Sequence, residues 1–260
     1  NAAPPLLLDE LTAGVDNEDA VLISWSLDAI SWAPDDKMIA YPYFGDIDAP
    51  KTKIKALDND REQILSGVIK VLWSPDGSSR LESFIDFELG SARFAITDLQ
   101  TDKTRTILTP PGIVLPFDWS PNGKQILTSV YVEDTDTWDL FLVQVNGDPP
   151  LQLTDTADLT EQYSAWSPDG QQIAYGVGGG LNRLSFDAIE IIPSVGAAAP
   201  RRVVSQSGVG KFVWSPDGEN ILFSGTSGDT SDLFTVNLTS GVITQLTDTP
   251  EYELFATYAP

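Results

Sequence analysis

The chain has 260 residues, carries 15 basic against 38 acidic side chains, and contains neither histidine nor cysteine. Its net charge of −23 repels phosphate backbones and anionic lipids, which argues against nucleic-acid binding and membrane-surface binding. Without imidazole or thiol groups the chain cannot assemble a Ser-His-Asp triad, a Cys-His pair, a disulfide framework or an imidazole metal site.

The first predicted elements are two strands near the N-terminus. Residues 5–11 and 20–24 are apolar runs on either side of a Thr12-Ala13-Gly14 turn, a pattern typical of paired strands. The start at Asn1 without an initiator Met resembles a processed chain. It predicts an extracytoplasmic protein (periplasmic, cell-envelope or secreted) whose leader has been removed. No apolar run approaches the length of a transmembrane helix, so no direct membrane insertion is expected.

A five-residue motif then recurs along the chain. Proline presets φ for a tight turn, Asp or Asn follows, and Gly tolerates the positive φ that closes the turn. The copies begin 41, 46, 47 and 48 residues apart, and a period in the forties is typical of propeller blades or helical arrays. The five copies are Trp32-Ala33-Pro34-Asp35-Asp36, Trp73-Ser74-Pro75-Asp76-Gly77, Trp119-Ser120-Pro121-Asn122-Gly123, Trp166-Ser167-Pro168-Asp169-Gly170 and Trp214-Ser215-Pro216-Asp217-Gly218.

The residues around each motif predict four antiparallel strands per repeat. Short apolar runs precede and follow the motif turn, and an alternating stretch such as 232–238 comes later, followed by a turn and a last strand at 242–247. Four-stranded units at this spacing predict an all-β, six-bladed β-propeller forming one domain over residues 1–260. Complete blades are expected at 28–66, 67–110, 111–155, 156–206 and 207–248. A closing blade, shared between residues 5–25 and 249–260, lacks its second strand. Three explanations are open: the blade is incomplete, a partner supplies the strand, or the chain continues beyond Pro260.

The repeat resembles the TolB-like, WD40-like (PD40) β-propeller family, whose hallmark is Trp-Ser-Pro-Asp-Gly followed by Ile-Ala-Tyr/Phe. The segments 166–175 and 214–223 carry that pattern most completely. The resemblance implies a cell-envelope protein that works through contacts, with motif residues that hold the fold and motif tryptophans in the blade cores. Arg80 stands where the other copies have Ile, which predicts a local shift in the second blade.

Loop lengths predict one strongly acidic face. The loops between second and third strands, together with the loops between blades, should lie at the same end of the fold, and loops on a rigid scaffold commonly carry binding residues. Trp138, beside one of these loops, is predicted either to pack in the core or to form a surface contact. The acidic residues assigned to this face are Asp46, Asp48, Glu133, Asp134, Asp136, Asp139, Asp155, Asp158, Glu161, Asp229, Asp232, Asp248, Glu251 and Glu253.

One acidic loop is a candidate Ca²⁺ site. Glu133, Asp134, Asp136 and Asp139 offer oxygen ligands of the kind that a hard cation uses, although the loop lacks the Gly and the final Glu of an EF-hand. A solvated acidic loop without a cation is the alternative interpretation. The Gly-rich run at 176–180 opens no helix and has no Lys-Ser/Thr, so it predicts a flexible loop and not a phosphate site.

Three functions are compatible with this sequence. The first is a non-catalytic binding or scaffold propeller that contacts another protein through its acidic loop face. The second is a structural subunit whose incomplete last blade takes a strand from a neighbouring copy. The third is a carboxylate-dependent enzyme acting on polysaccharide, which needs two acids at a set separation. The lack of His, Cys and a Gly-x-Ser-x-Gly elbow favours a protein without catalytic residues or cofactor.

Overall fold

The computed structural model describes residues 30–42, 50–86, 91–109, 114–178, 185–195, 199–228, 230–253 and 257–258. These residues form twenty strands in five sheets, each of four antiparallel strands, which confirms the predicted all-β class. The chain divides into two compact units, residues 1–109 and 110–260. Most of the predicted closing blade lies outside the described residues, so the number of blades stays a prediction.

The first unit contains two sheets of consecutive strands. Sheet 1 consists of β1 (Ser31–Trp32), β2 (Met38–Pro42), β3 (Lys51–Ala56) and β4 (Glu62–Ser66). Sheet 2 consists of β5 (Val68–Trp73), β6 (Ser79–Asp86), β7 (Ser91–Asp98) and β8 (Lys103–Leu108). Ala40 and Ile54 of sheet 1 pack with Val71 and Trp73 of sheet 2, so the two sheets share one core.

The second unit contains three sheets with the same strand order. Sheet 3 consists of β9 (Val114–Trp119), β10 (Gln125–Val132), β11 (Thr137–Gln144) and β12 (Leu151–Gln152). Sheet 4 consists of β13 (Thr160–Trp166), β14 (Gln172–Gly178), β15 (Phe186–Pro193) and β16 (Arg201–Val209). Sheet 5 consists of β17 (Phe212–Trp214), β18 (Asn220–Ser227), β19 (Thr230–Asn237) and β20 (Ile243–Gln245).

Alternating apolar residues join the three sheets of the second unit through two cores. Leu140 and Leu142 of sheet 3 pack with Trp166 and Tyr175 of sheet 4 in one core. The opposite face of sheet 4 supplies residues such as Ile191 to the second core, which it shares with sheet 5. Burying one such side chain stabilises the fold by roughly 1.5–3 kcal/mol, and the strand period of two gives sheet 4 two apolar faces.

Each motif forms the turn between the first and second strands of its sheet. In the copy at 166–170, the Ser167 hydroxyl donates to Asp169 Oδ1 at 2.6 Å, and the Gly170 amide donates to the Ser167 carbonyl at 2.8 Å. The motif glycines have φ between +68° and +72°, a region that other residues rarely adopt. In the first copy Ala33 lacks the hydroxyl, and Asp36 takes the positive φ (57°).

Four of the five motif tryptophans are buried, as the repeat predicts. Trp73, Trp119, Trp166 and Trp214 are 6–9% exposed. Trp32 is 54% exposed, so the expectation that every motif tryptophan lies in a core is wrong for the first copy. Trp138 is buried against Tyr131, with ring centroids 5.6 Å apart, which confirms the core alternative for that side chain.

Two local expectations from the sequence are wrong. Arg80 causes no shift: it pairs with Trp73 in the register that Ile173 keeps with Trp166, because its guanidinium is neutralised by the neighbouring Glu82 at 2.8 Å. Residues 176–178 of the predicted loop at 176–180 belong to β14, and residues 179–180 lie outside the described residues. The Phe186 ring lies directly over Gly176, at 2.5 Å from where a Cβ would stand, so this glycine makes room for an aromatic side chain inside the sheet.

Candidate functional site: the acidic end of the second unit

The strand order brings several acidic loops of the second unit to one end. In an antiparallel sheet with consecutive strands, the turn between strands two and three lies at the same end as the connection to the next sheet. This end therefore holds the β10–β11 turn, the β12–β13 connection and the residues after β20. We call it the acidic end and define it by its exposed carboxylates: Glu133, Asp134, Asp136, Asp155, Asp158, Asp248 and Glu251.

The second unit is the more acidic half of the chain. Residues 110–260 contain five basic and nineteen acidic side chains, whereas residues 1–109 contain ten and nineteen. Lys211 also lies at the acidic end, half-buried, with its Nζ 5.9 Å from the centre of the Tyr163 ring. Burial lowers the pKa of Lys211 to about 8, so its positive charge weakens in mildly alkaline solution.

Not every acid assigned to this face is on the surface. Asp139, Glu161 and Asp232 are 1–3% exposed, and Glu253 is half-buried, so their assignment to an exposed loop face is wrong. Threonine hydroxyls, two glutamine amides and backbone amides donate hydrogen bonds to the oxygens of these four carboxyl groups. Asp46, Asp48 and Asp229 lie outside the described residues.

A cluster of polar side chains fixes the join between sheets 3 and 4. Gln152 Nε2 donates to Asp139 Oδ2 at 3.0 Å, and the Thr156 hydroxyl donates to Glu161 Oε1 at 2.6 Å. The Thr154 hydroxyl accepts from the Leu140 amide at 2.8 Å and donates to Glu161 Oε2 at 3.4 Å. The cluster links β11, the connection at 153–159, and β13. We call it the carboxyl latch.

The same latch occurs a second time after sheet 5. Gln245 Nε2 donates to Asp232 Oδ2 at 2.8 Å, and the Leu233 amide donates to the Thr247 hydroxyl at 2.9 Å. The hydroxyls of Thr247 and Thr249 both donate to Glu253, the latter at 3.0 Å. Glu253 therefore stands in the second latch where Glu161, in the first strand of sheet 4, stands in the first.

The sequence contains a signal for this latch that the motif repeat concealed. The five residues Gln-Leu-Thr-Asp-Thr occur at 152–156 and again at 245–249. Sequence reasoning assigned residues 245–247 to the last strand of a blade and considered only the acids in the connections that follow, so it did not recognise the repeat. Within the pentapeptide, the two threonines donate hydrogen bonds to Glu161 and the glutamine donates one to Asp139. This alternation of donors is the sequence pattern that predicts the latch.

Burial changes the acid chemistry of the first latch. Desolvation is the largest cause that raises the pKa of Glu161, to about 7, and the charge of Asp139 adds to it. Desolvation likewise raises the pKa of Asp139. A carboxyl with a pKa near neutrality exchanges its proton under mild conditions, so this buried pair responds to pH in a range where exposed acids stay ionised.

The four residues of the candidate Ca²⁺ site do not converge. Glu133 and Asp134 are exposed at the β10–β11 turn, and Asp136 accepts a hydrogen bond from the Tyr131 hydroxyl at 2.7 Å. Asp139 is turned into the latch. Within the part of the chain that the structure describes, no group of three or more His, Cys, Asp or Glu side chains is placed to hold a metal ion. This geometry gives the Ca²⁺ prediction no support.

In the first unit a buried arginine of sheet 2, paired with a glutamate of the same strand, donates a hydrogen bond to sheet 1. Arg80 Nε donates to Glu82 Oε1 at 2.8 Å, and Arg80 Nη1 donates to Gln63 Oε1 of sheet 1 at 3.2 Å. Both ionic side chains are 8% exposed. A guanidinium thus compensates the buried carboxylate here, whereas the carboxyl latch has no cation within its hydrogen-bonded set.

Comparison with solved structures places this arrangement in a known fold class. TolB from Acinetobacter baumannii is similar, with a TM-score of 0.62 and 17% identity, over 83% of this chain and 52% of that one. An oligogalacturonate lyase in complex with manganese gives a TM-score of 0.64 and 15% identity, over 87% of this chain and 66% of the lyase. The chain is an all-β protein of the β-propeller class.

Comparison of sequences adds one relative. An uncharacterized protein from Agrobacterium fabrum is 29% identical over 175 residues, which are 63% of this chain and 56% of that protein. No family model matches the chain. The chain thus spans little more than half the length of this relative and of the TolB structure.

No described segment forms a helix with the length and apolar character needed to cross a membrane.

Proposed function

We propose that this chain is a non-catalytic, extracytoplasmic binding propeller that contacts another protein through the acidic end of its second unit. The observation that carries the proposal is the set of seven exposed carboxylates that strand order brings to one end. Rigid strands on either side hold these loops, and a field of one sign steers a partner with a basic surface. The fold of TolB supports the class of protein, and the extracytoplasmic location is part of the proposal.

The buried acids favour binding over glycan hydrolysis. A glycosidase keeps its two carboxyl groups about 5–9.5 Å apart, with room for the substrate between them. Asp139 and Glu161 are instead both buried, and Thr156 bonds to both of them, which leaves no room for a substrate between them. The similarity to the lyase concerns the fold. A manganese site built on imidazole is impossible in a chain without histidine.

Charge reversal at the acidic end tests the proposal. The double variant E133K/D134K alters two exposed residues of one turn, and D148K/E219K, with the same change in charge, is the matched control because these turns lie at the opposite end. Tagged protein is exposed to extracytoplasmic extract from its source, cross-linked, and analysed by mass spectrometry. We expect a defined partner that the control retains and the E133K/D134K variant loses. No stoichiometric partner, or equal retention by both variants, would overturn the proposal.

A second candidate function is assembly by strand addition, and the second carboxyl latch favours it. Glu253 occupies the latch position that belongs to the first strand of a following sheet, and Tyr252 forms a parallel bridge with Ser231. Leu246 beside it is 53% exposed, whereas its counterpart Leu153 packs against the core of sheet 4. Tyr252 and Glu253 would then begin a further sheet that a neighbouring copy completes.

Measurement of mass in solution tests this second function. Light scattering across a wide concentration range should give a defined oligomer, and L246D should dissociate it by placing a charge on the contact surface. L151D is the matched control, because Leu151 is equally exposed on a strand whose following sheet is already in place. A monomer at every concentration would exclude assembly and leave the binding proposal untouched.

A further inference from the structure

The first carboxyl latch contains two acids that share one environment. Asp139 on β11 is 3% exposed and Glu161 on β13 is 1% exposed, and Thr156 bonds to both, through its amide to Asp139 at 3.4 Å and through its hydroxyl to Glu161 at 2.6 Å. Two buried carboxyl groups that meet at one threonine repel each other when both are ionised, and this repulsion favours the state in which one of them keeps its proton.

The groups facing this pair make its ionisation more difficult. Asp155 in the connecting loop acts on Asp139, and Glu190 on β15 acts on Glu161, both as like charges. Tyr175 on β14 donates its hydroxyl to Glu190 at 3.0 Å. The Arg202 guanidinium on β16 is bound to Glu190 at 2.9 Å. Among the described residues, the ion pairs formed by Lys and Arg do not include Asp139 or Glu161.

We propose that Asp139 and Glu161 form a proton-sharing pair that fastens strand β13 to sheet 3 and that loosens this join when the shared proton is lost. Thr154 and Thr156 hold the loop between the two acids, and their hydroxyls bond to Glu161. A loosened join therefore frees the segment 153–159, which carries Asp155 and Asp158 of the acidic end. That last consequence rests on the proposed function, whereas the titration of the pair does not.

The direction of the pH effect follows from linkage. A glutamic acid in the unfolded chain loses its proton near the ordinary pKa of 4.5, whereas burial keeps the proton on Glu161 up to a pKa of about 7. Between these values the native state binds a proton that the unfolded state has released. Stability therefore falls as pH rises across this interval and levels off above it. The second latch offers a matched substitution, because Glu253 holds the position there that Glu161 holds in the first latch.

The test compares the wild type with E161Q and E253Q. Glutamine keeps the shape of a protonated glutamic acid and cannot ionise, so E161Q should remove the titration. Amide hydrogen exchange of Leu140 and Thr156, corrected for intrinsic rate, reports opening of the join. In the wild type and E253Q we expect the opening constant to rise about tenfold for each pH unit between roughly pH 5 and 7. In E161Q it should stay constant.

A second measurement keeps the test valid if E161Q fails to fold. The side-chain carboxyl ¹³C signal of Glu161 in the wild type should titrate with a midpoint above about pH 6. A Glu161 midpoint near the ordinary value of 4.5 would overturn the proposal. So would parallel pH profiles of hydrogen exchange in the wild type and E161Q. A raised midpoint with a pH-dependent opening that E161Q abolishes would support it.

Discussion

Sheets 1 and 2 meet at a buried arginine whose charge is compensated by a glutamate, whereas sheets 3 and 4 meet at two buried carboxyl groups that we propose share a proton. In the first unit Arg80 and Glu82 pair at 2.8 Å inside the core, and Arg80 reaches across to Gln63. In the second unit Asp139 and Glu161 are equally buried, but threonine and glutamine side chains are their donors. The same repeat therefore buries a carboxyl group between sheets in two ways, with a neighbouring cation in the first unit and with neutral hydrogen-bond donors in the second.

Because the buried carboxyl groups have different partners, the two contacts between sheets respond to different changes. A carboxylate beside a guanidinium keeps its charge, and losing the partner leaves that charge buried and uncompensated. A carboxyl group without a cation is stable in the protein mainly when it is protonated, so its free energy depends on pH. We therefore expect a mutation of Arg80 to weaken the contact between sheets 1 and 2, and a rise in pH to weaken the contact between sheets 3 and 4.

Removing the cation between sheets 1 and 2 should cause the greatest loss of stability. R80M leaves Glu82 buried without a cation and should lower the free energy of unfolding by about 3–5 kcal/mol. Urea unfolding at pH 7 measures the change. The double variant R80I/E82T, which copies Ile126 and Thr128 of sheet 3, should recover most of the loss. A single variant as stable as the wild type would show that the ion pair contributes nothing.

A smaller effect is expected when one hydrogen bond of the latch is removed. T156V keeps the side-chain shape but deletes the donor to Glu161, and should cost about 1–2 kcal/mol at pH 6 because the acceptor stays buried. T249V makes the same change in the second latch, where the threonine is exposed, and should cost less than about 1 kcal/mol. Equal losses in urea unfolding would mean that burial does not distinguish the two latches.

Introducing a cation beside the first latch tests whether the lack of one distinguishes the second unit from the first. Gln152 is exposed and donates to Asp139, so Q152R places a guanidinium beside the latch. A nearby positive charge favours the ionised carboxyl groups and should stabilise the fold by up to about 1 kcal/mol at pH 8, with less gain at pH 5. Thermal unfolding at both pH values measures this. A gain that is the same at both pH values would contradict the shared-proton description.

The first motif turn offers a modest gain. Asp36 adopts φ of 57°, where the other copies place glycine, so D36G should raise the free energy of unfolding by a few tenths to about 1 kcal/mol. G77A is the converse change at φ of 68° and should lose about 1 kcal/mol. Chemical denaturation of both variants gives the pair of values. Destabilisation by D36G would indicate that the Asp36 side chain makes a compensating contact.

Calcium is expected to leave the melting temperature unchanged. Because Asp139 is turned away from Glu133, Asp134 and Asp136, adding millimolar Ca²⁺ should leave the Tm equal to that in chelator. Differential scanning calorimetry makes the comparison, with Mg²⁺ as the control for ionic strength. A rise in Tm that is specific to Ca²⁺, and that D134N abolishes, would restore the cation site.

The sequence by itself determined the repeat, the strand order within each sheet and the turn chemistry. These are local properties: a Pro-Asp-Gly turn and a period-two apolar pattern have the same meaning wherever they occur. The buried position of Trp166 and the register of Arg80 with Trp73 also follow from that local pattern, although the charge of Arg80 suggested otherwise.

Only the tertiary structure decided which acids face water and which do not. Asp136 and Asp139 stand three residues apart in one acidic run, yet one is exposed and the other accepts hydrogen bonds inside a join of two sheets. Burial of a carboxyl group depends on donors that arrive from elsewhere in the chain, such as Gln152 and Thr156. The packing of the sheets brings these donors to the carboxyl group, so the residues next to it in the sequence do not show whether it is buried.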